Sequence, residues 1–349
     1  MKQKLIKYSL ILLVSLFIVT GLILLYLFHW PFIQSAETEK TDIIVNRGDT
    51  FSLVSTRLLE QGIIRNRKNL LLAARLTGAT TKIKAGKFTL PLHSSNYRVL
   101  TTLTRGAENF IKVTIPEGTT SWKIASILQA KLSIDSVKFI SLVHAPACLE
   151  KYKIYAHSLE GYLYPETYYF TFGLSEEQVI DQFVHQFFQN VTDSLIRAGE
   201  QYNFSLNQIV TLASIIEGEA MLDSEMVYIS SVYHNRLRTG MLLQADPTIQ
   251  YVLADKPRRL LNRDLEIESP YNTYKYTGLP PGAIGSPGIN AIRAAVYPAN
   301  SDYFYFVADG KGGHIFSATL RQHVNAKHQF NKIRRQVARE KRLKGQAQQ

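Results

Sequence analysis

The sequence predicts an α+β protein carried on a single N-terminal transmembrane helix, and three observations predict it. Tyr8 to Phe28 is an uncharged run rich in Leu, Ile and Val, about 20 residues and so long enough to cross a bilayer. Beyond it, short β-branched and aromatic runs are interspersed with longer stretches of helical periodicity. Asn207 to Ala220, finally, has the apolar spacing of a buried helix yet closes on two carboxylates, Glu217 and Glu219.

The 349 residues leave room for two or three domains, and an apolar fraction of 46% is ordinary for globular material. The expected divisions are a stub and span over 1–33, a first region over 34–135, a second over 136–330 and a basic tail over 331–349. Net charge is +12, but most of the excess lies at the two ends, in Lys2, Lys4 and Lys7 and in the Lys/Arg cluster from Lys327 to Lys344. The near-neutral body offers no phosphate-binding face, so nucleic acid is not an expected partner. The tail reads as a solvated helical or frayed end, with an anionic surface as the sharper alternative. Cys148 is the single cysteine and the nine histidines show no ligand spacing, so neither a catalytic metal nor any cofactor is expected.

A cleavable signal would have a shorter apolar core followed by a small-x-small site, and Gln34-Ser35-Ala36 has the wrong residue three back. Three lysines before the run and none just after it place the N-terminus in the cytoplasm. Trp30 and Phe32 suit the membrane interface, and Gln34 to Thr41 reads as a short tether.

Ile43-Ile44-Val45 is a strand by its β-branched content, Asn46 to Thr50 a turn and cap, and Phe51 to Leu59 an amphipathic helix. A helix over Asn69 to Leu76 and a strand pair around Ala85 to Leu90 follow. Arg47-Gly48-Asp49-Thr50 is echoed by Glu117-Gly118-Thr119-Thr120, each after a β-rich run and before a helix. Lys131 to Lys153 has no clear pattern. Ser158 to Phe170 combines dense aromatics with Glu160 and Glu166, which suits either sugar stacking or an aromatic core. Glu176 to Arg197 reads as one amphipathic helix.

Ser205 or Asn207 caps the helix that follows, and Ile209, Leu212 and Ile216 share one stripe. Two positions on a helix are about 200° apart, so Glu217 and Glu219 face different ways. Glu217 has the small Ala213 and Ser214 on the preceding turn. A carboxyl among apolar neighbours resists ionisation and can serve as a general acid; a solvated helix end is the plain alternative. Asp223 or Ser224 caps a helix to Arg238, stopped by Gly240. Met241 to Thr248 reads as a strand ending in a turn, and Pro257 to Ser269 as a charged loop. Tyr271 to Gly288, with its prolines and glycines, is a long irregular loop of the kind that is usually functional. Pro287 opens a helix over Ile289 to Ala295. Tyr303 to Ala308 and His314 to Ser317 form a hairpin across Asp309-Gly310-Lys311-Gly312-Gly313.

The strand–Gly-x-Thr–helix echo resembles LysM modules, which bind N-acetylglucosamine-containing glycans; a spacer role is the alternative. Leu212 to Ala220, Asn235 to Thr248, Tyr271 to Tyr274, Thr277 to Ile284 and Tyr305 to His314 together, in this order behind one span, resemble the YceG-like endolytic murein transglycosylases. That resemblance implies a LysM-like region over 34–135 and a mixed α+β catalytic domain over 136–330. It implies an inner-membrane location, with the catalytic domain periplasmic, and peptidoglycan strands as substrate. It also implies that Glu217, first in the Glu-x-Glu motif, is the acid/base that forms 1,6-anhydro-muramyl ends. Gln244, Asp246, Asn272 and Tyr274 are candidates for binding N-acetyl groups or orienting Glu217, or else for loop and cap hydrogen bonds. Glu219 is expected to pair with Arg236, and Asn235 to cap or bridge. Glu160 and Glu166 fit the family's acidic/aromatic motif. A hydrolytic muramidase using Glu217 with Asp246, and a glycan-binding scaffold, stay open beside this reading. Peptidoglycan synthases are an open class of protein partner.

Overall fold

A computed structural model describes residues 2–29, 39–45, 48–105, 110–171, 173–253 and 258–346. The chain forms two compact units, Met1–Lys112 with Tyr169–Leu174, and Val113–Tyr168 with Ser175–Gln349.

The first unit contains α1 (Lys2–His29), β1 (Lys40–Val45), α2 (Phe51–Glu60), α3 (Arg67–Thr77), β2 (Gly86–Pro91) and α4 (Asn96–Arg105). β1 and β2 pair antiparallel with Ile43 opposite Phe88. Their alternate side chains Ile43, Val45, Phe88 and Leu90 are buried with Val54, Leu58, Leu70 and Val99. The segment expected to be a local strand pair is thus one strand, because its apolar face completes the core that β1 begins. Ile6–His29 is long and apolar enough to cross a membrane, and its side chains are exposed until Leu27. Leu27 joins the unit's core, and its carbonyl accepts from Asn96 Nδ2 at 2.7 Å. Trp30, Phe32 and most of the expected tether lie outside the described residues.

β3 (Ile111–Thr114) leads into the second unit. There follow α5 (Ser121–Leu132), α6 (Ser136–Val143), α7 (Pro146–Lys151), β4 (Thr167–Phe170), α8 (Glu176–Asn190), α9 (Asp193–Glu200) and α10 (Leu206–Glu219). Then come α11 (Met226–Thr239), α12 (Asp246–Leu253), α13 (Ile289–Val296), β5 (Tyr305–Ala308), β6 (His314–Ser317) and α14 (Leu320–Gln346). β3 pairs with β4, and β5 with β6. The echo survives as geometry: Gly48 and Gly118 both have positive φ, and Thr50 and Thr120 cap α2 and α5 through their side chains.

Two local readings change, and one open alternative takes the core form. The stretch 176–197 is two helices, because Val191 leaves helical geometry and Thr192 begins the next. Met241 to Thr248 is not a strand: α12 begins at Asp246, and Pro247 sits in its first turn, where a missing N–H costs nothing. Most of the aromatic segment is core, with Tyr162, Tyr164, Tyr168 and Phe170 buried.

α10 is the axis of this unit. Ser205 closes a capping box with Gln208 at its start, and every residue from Ile209 to Ile216 is buried. Each large aliphatic side chain so buried contributes about 1.5–3 kcal/mol. The two polar members are satisfied locally: Thr211 Oγ1 donates to Asn207 O at 2.7 Å and Ser214 Oγ to Thr211 O at 2.8 Å. α13 packs along α10, with α9, α11 and α12 also against it. The last turn of α10 emerges from this packing carrying its two acids.

Candidate active site

Two segments distant in sequence converge on Glu217. The backbone N–H of Gly288, the residue capping α13, donates to Glu217 Oε2 at 3.0 Å. The Glu117–Gly118 turn closes from another side, and a Cβ on Gly118 would stand 3.6 Å from Glu217 Cγ. This turn is tied to the loop before α13, since Gly118 N donates to Ser286 O at 2.8 Å and Ser286 N to Thr119 O at 3.0 Å. The loop is tied in turn to α10, where Ser214 Oγ accepts from Ile284 N at 3.0 Å. Residues 282–288 are accordingly buried. The irregular segment is a rigid wall, its end fixed by side-chain and main-chain hydrogen bonds.

Burial pushes the Glu217 carboxyl up to about 7, against the Gly288 hydrogen bond and with help from the charges of Glu117 and Asp223. Burial also raises Glu117, which feels Asp223 and Glu166. With Oε2 accepting from a backbone donor, the proton of neutral Glu217 belongs on Oε1. Asp223 opens a short 3-10 turn, Asp223–Glu225, whose last acid anchors the hairpin: Glu225 accepts from His314 N at 2.9 Å and faces its Nδ1 at 2.7 Å.

Glu219 faces elsewhere. Its Oε1 accepts from Tyr233 OH at 3.0 Å, and burial with the nearby Asp246 charge raises it to about 7. The ion pair expected with Arg236 is not formed. Arg236 is spent on carbonyls, Nε to Phe304 O and Nη1 to Leu243 O, each at 2.7 Å; a buried guanidinium takes the acceptors that bracket it, here at the ends of two loops. Asn235 bridges, with Nδ2 donating to Ser301 O and Tyr303 O at 2.9 Å each.

The other predicted residues separate into two groups. Asn272 is wholly buried; Nδ2 donates to Leu265 O and Ile267 O while Oδ1 accepts from Tyr274 N, so it folds its own loop. Glu160 is also buried, 3% exposed, its carboxylate accepting from Ser121 N and Oγ at the start of α5. Burial outweighs these hydrogen bonds and pushes it up to about 7. Asp246, Tyr274, Glu166 and Gln244 stay accessible. Tyr274 OH donates to Asp246 Oδ1, on the Glu219 side of the helix. Glu166 belongs to the acid group around Glu117. Gln244 has φ of +50°, held by its N–H on Thr273 O at 3.0 Å. A non-glycine residue in this region is uncommon, and His93, Ser133, Lys153 and Asn203 share it at other turns and helix ends.

Sequence reasoning missed Glu117, Asp223 and Gly288 as neighbours of Glu217. The Glu117-Gly118 echo and the Pro287-Gly288 helix start were visible, but nothing local said that they meet.

A sequence model described as the YceG-like family matches residues 43–329. A Bacillus subtilis protein named endolytic murein transglycosylase is 30% identical over 309 residues, covering 83% of this chain and 85% of its own length. A Streptococcus pneumoniae protein of the same name is 28% identical over 324 residues, covering 81% of this chain and 58% of its own length. The 2.6 Å crystal structure of a YceG-like protein from Listeria monocytogenes is 32% identical, with TM-score 0.58, covering 82% of this chain and 98% of that one.

Proposed function

The chain belongs to the YceG-like family, and on that premise we propose that it is a membrane-anchored lytic transglycosylase with Glu217 as its acid/base. The observation that carries this is the setting of Glu217: a carboxyl whose pKa burial raises to about 7, one oxygen held by Gly288 N–H, with Asp246 set on the Glu219 side. Glu217 Oε1 gives its proton to the glycosidic oxygen between N-acetylmuramic acid and N-acetylglucosamine as the C1–O bond breaks. The carboxylate then takes the proton of the muramyl C6 hydroxyl, whose oxygen closes on C1. No water is consumed, so one carboxyl serves both transfers, where a hydrolase needs a pair.

In this reading α1 spans the membrane with its N-terminus in the cytoplasm, and the site works on nascent strands on the outer face, ending their elongation. The LysM-like region would add glycan contact, and synthases making those strands are the natural protein partners. The rival muramidase would draw its second acid from Glu117 or Asp223 rather than Asp246.

The test uses the full chain in detergent with peptidoglycan strands, beside Glu217→Gln. Anhydro-muramyl ends, one water lighter than hydrolysed ends and lost in the variant, are expected. General acid–base catalysis is worth about 10²–10⁴-fold, and the loss should be at least that large. Reducing ends would make the protein a muramidase.

A further inference from the structure

A concavity of about 360 Å³ opens beside α13, lined by Asp223, Ser224, Asn290, Arg293 and Tyr297 among others. It adjoins the Glu217 site through α13 itself. Gly288 caps that helix and holds Glu217, and Arg293 follows five residues later, roughly 7 Å along the axis. Five residues also carry Arg293 about 140° around the axis from Gly288, and Asp223, on the same concavity's wall, is close enough for its charge to act on Glu217.

The two charged walls differ. Asp223 Oδ2 accepts from Asn290 Nδ2 at 2.8 Å and is fixed there. Arg293 is exposed, and among the described residues no carboxylate lies within ion-pair distance of it. An unspent guanidinium in a concave wall beside an otherwise acidic cleft is fitted to a carboxylate from outside. Tyr297, 53% exposed, adds an aromatic face.

N-acetylglucosamine has no carboxylate. N-acetylmuramic acid carries one on its lactyl ether, either free or extended by a peptide stem that brings carboxylates of its own. We propose that this pocket binds the acidic appendage of the muramyl residue, with Arg293 pairing to its carboxylate and Tyr297 packing beside it. Asp223 keeps one oxygen for an N–H or ammonium of the same appendage. The pocket thereby distinguishes the two alternating sugars and sets which bond lies at Glu217. This rests on the assignment of Glu217 made above.

The experiment measures kcat and KM of the full-length protein and of Arg293→Gln and Arg293→Lys on three substrates. These are strands with intact stems, strands whose stems have been removed to leave the lactyl carboxylate, and stem-free strands with that carboxylate converted to an amide. Arg293→Gln should raise KM at least about tenfold on carboxylate-bearing strands, the worth of one charge-assisted hydrogen bond. It should leave kcat and the amidated strands unchanged, and Arg293→Lys should recover part of the loss. An effect on stemmed strands alone assigns a stem carboxylate, an effect on stem-free charged strands alone assigns the lactyl carboxylate, and an effect on both shows that the pocket accepts either. An equal effect on amidated strands, or none anywhere, overturns the proposal. Strand binding to Glu217→Gln, with and without Arg293→Gln, reads the pocket separately, so inactivity of the wild type would sink the parent reading without deciding this one.

Discussion

Glu117 Oε1 lies in the space that a side chain on Gly288 would need, and the N–H of that same glycine donates to Glu217. The absence of one Cβ therefore lets two carboxyls from different segments share a wall. Gly288 has φ of −73° and ψ of 168°, angles open to any residue, so the requirement is for space. Gly288→Ala should reduce anhydro-end formation by displacing the Glu117 side chain, whose carboxyl occupies that space. Glu117→Ala in the same chain should restore much of it. Lack of rescue in the double variant would count against the steric account.

In the proposed mechanism the first step needs Glu217 protonated, so kcat/KM should fall as pH rises past about 7. Glu117 adds a like charge that raises Glu217. Glu117→Gln should therefore move the alkaline limb to lower pH. A limb that stays in place, read from a pH profile of product formation, would remove Glu117 from the electrostatics of the site.

Glu160 makes a prediction about stability. In the folded chain burial holds its carboxyl at about 7, above the ordinary glutamate value of 4.5. Folding therefore favours the protonated form. The stabilisation is complete below about 4.5 and is lost as pH rises through about 7. The shift corresponds to about 3 kcal/mol at most. The melting temperature of the full chain in detergent should fall between about pH 5 and 8, and Glu160→Gln should flatten that fall. An unchanged slope in the variant would place the dependence in other groups.

Gln244 separates turn geometry from ligand contact. Gly adopts its positive φ freely but loses more entropy on folding, so Gln244→Gly should stay within about 1 kcal/mol of wild-type stability. If the strained backbone presents the amide to glycan, KM should rise in this variant. Unaltered kinetics with unaltered stability would make Gln244 a turn residue only.

What could be read from the sequence was what is local or strongly periodic. The apolar span, the Ser205 cap, the Gly240 stop and the hairpin at Asp309 to Gly313 all carry their instructions within a few residues. Met241 to Thr248 misled because Leu242 and Leu243 look like strand and Pro247 like a turn, although proline is equally at home in a helix's first turn. Arg236 was matched to an acid by charge, whereas its acceptors are carbonyls of residues whose position only the fold reveals. Asn272 could be read as a sugar ligand or a loop residue, since asparagine in an irregular loop serves either purpose, and its buried side chain hydrogen-bonds within its own loop. The approach of Glu117 and Gly288 to Glu217 spans roughly 70 to 100 residues of chain and leaves no mark in any window of sequence.

The last turn of α1 is not slack rope between a bilayer and a folded body. Leu27 is 5% exposed inside the first unit and its carbonyl is held by Asn96. With α1 as the span, that unit has no swivel at this joint and inherits its height and heading from the helix. A thicker bilayer that makes α1 stand more upright would turn the unit with it. Cutting the chain after the apolar run, the ordinary way to obtain a soluble form, would also pull a plug from a finished core.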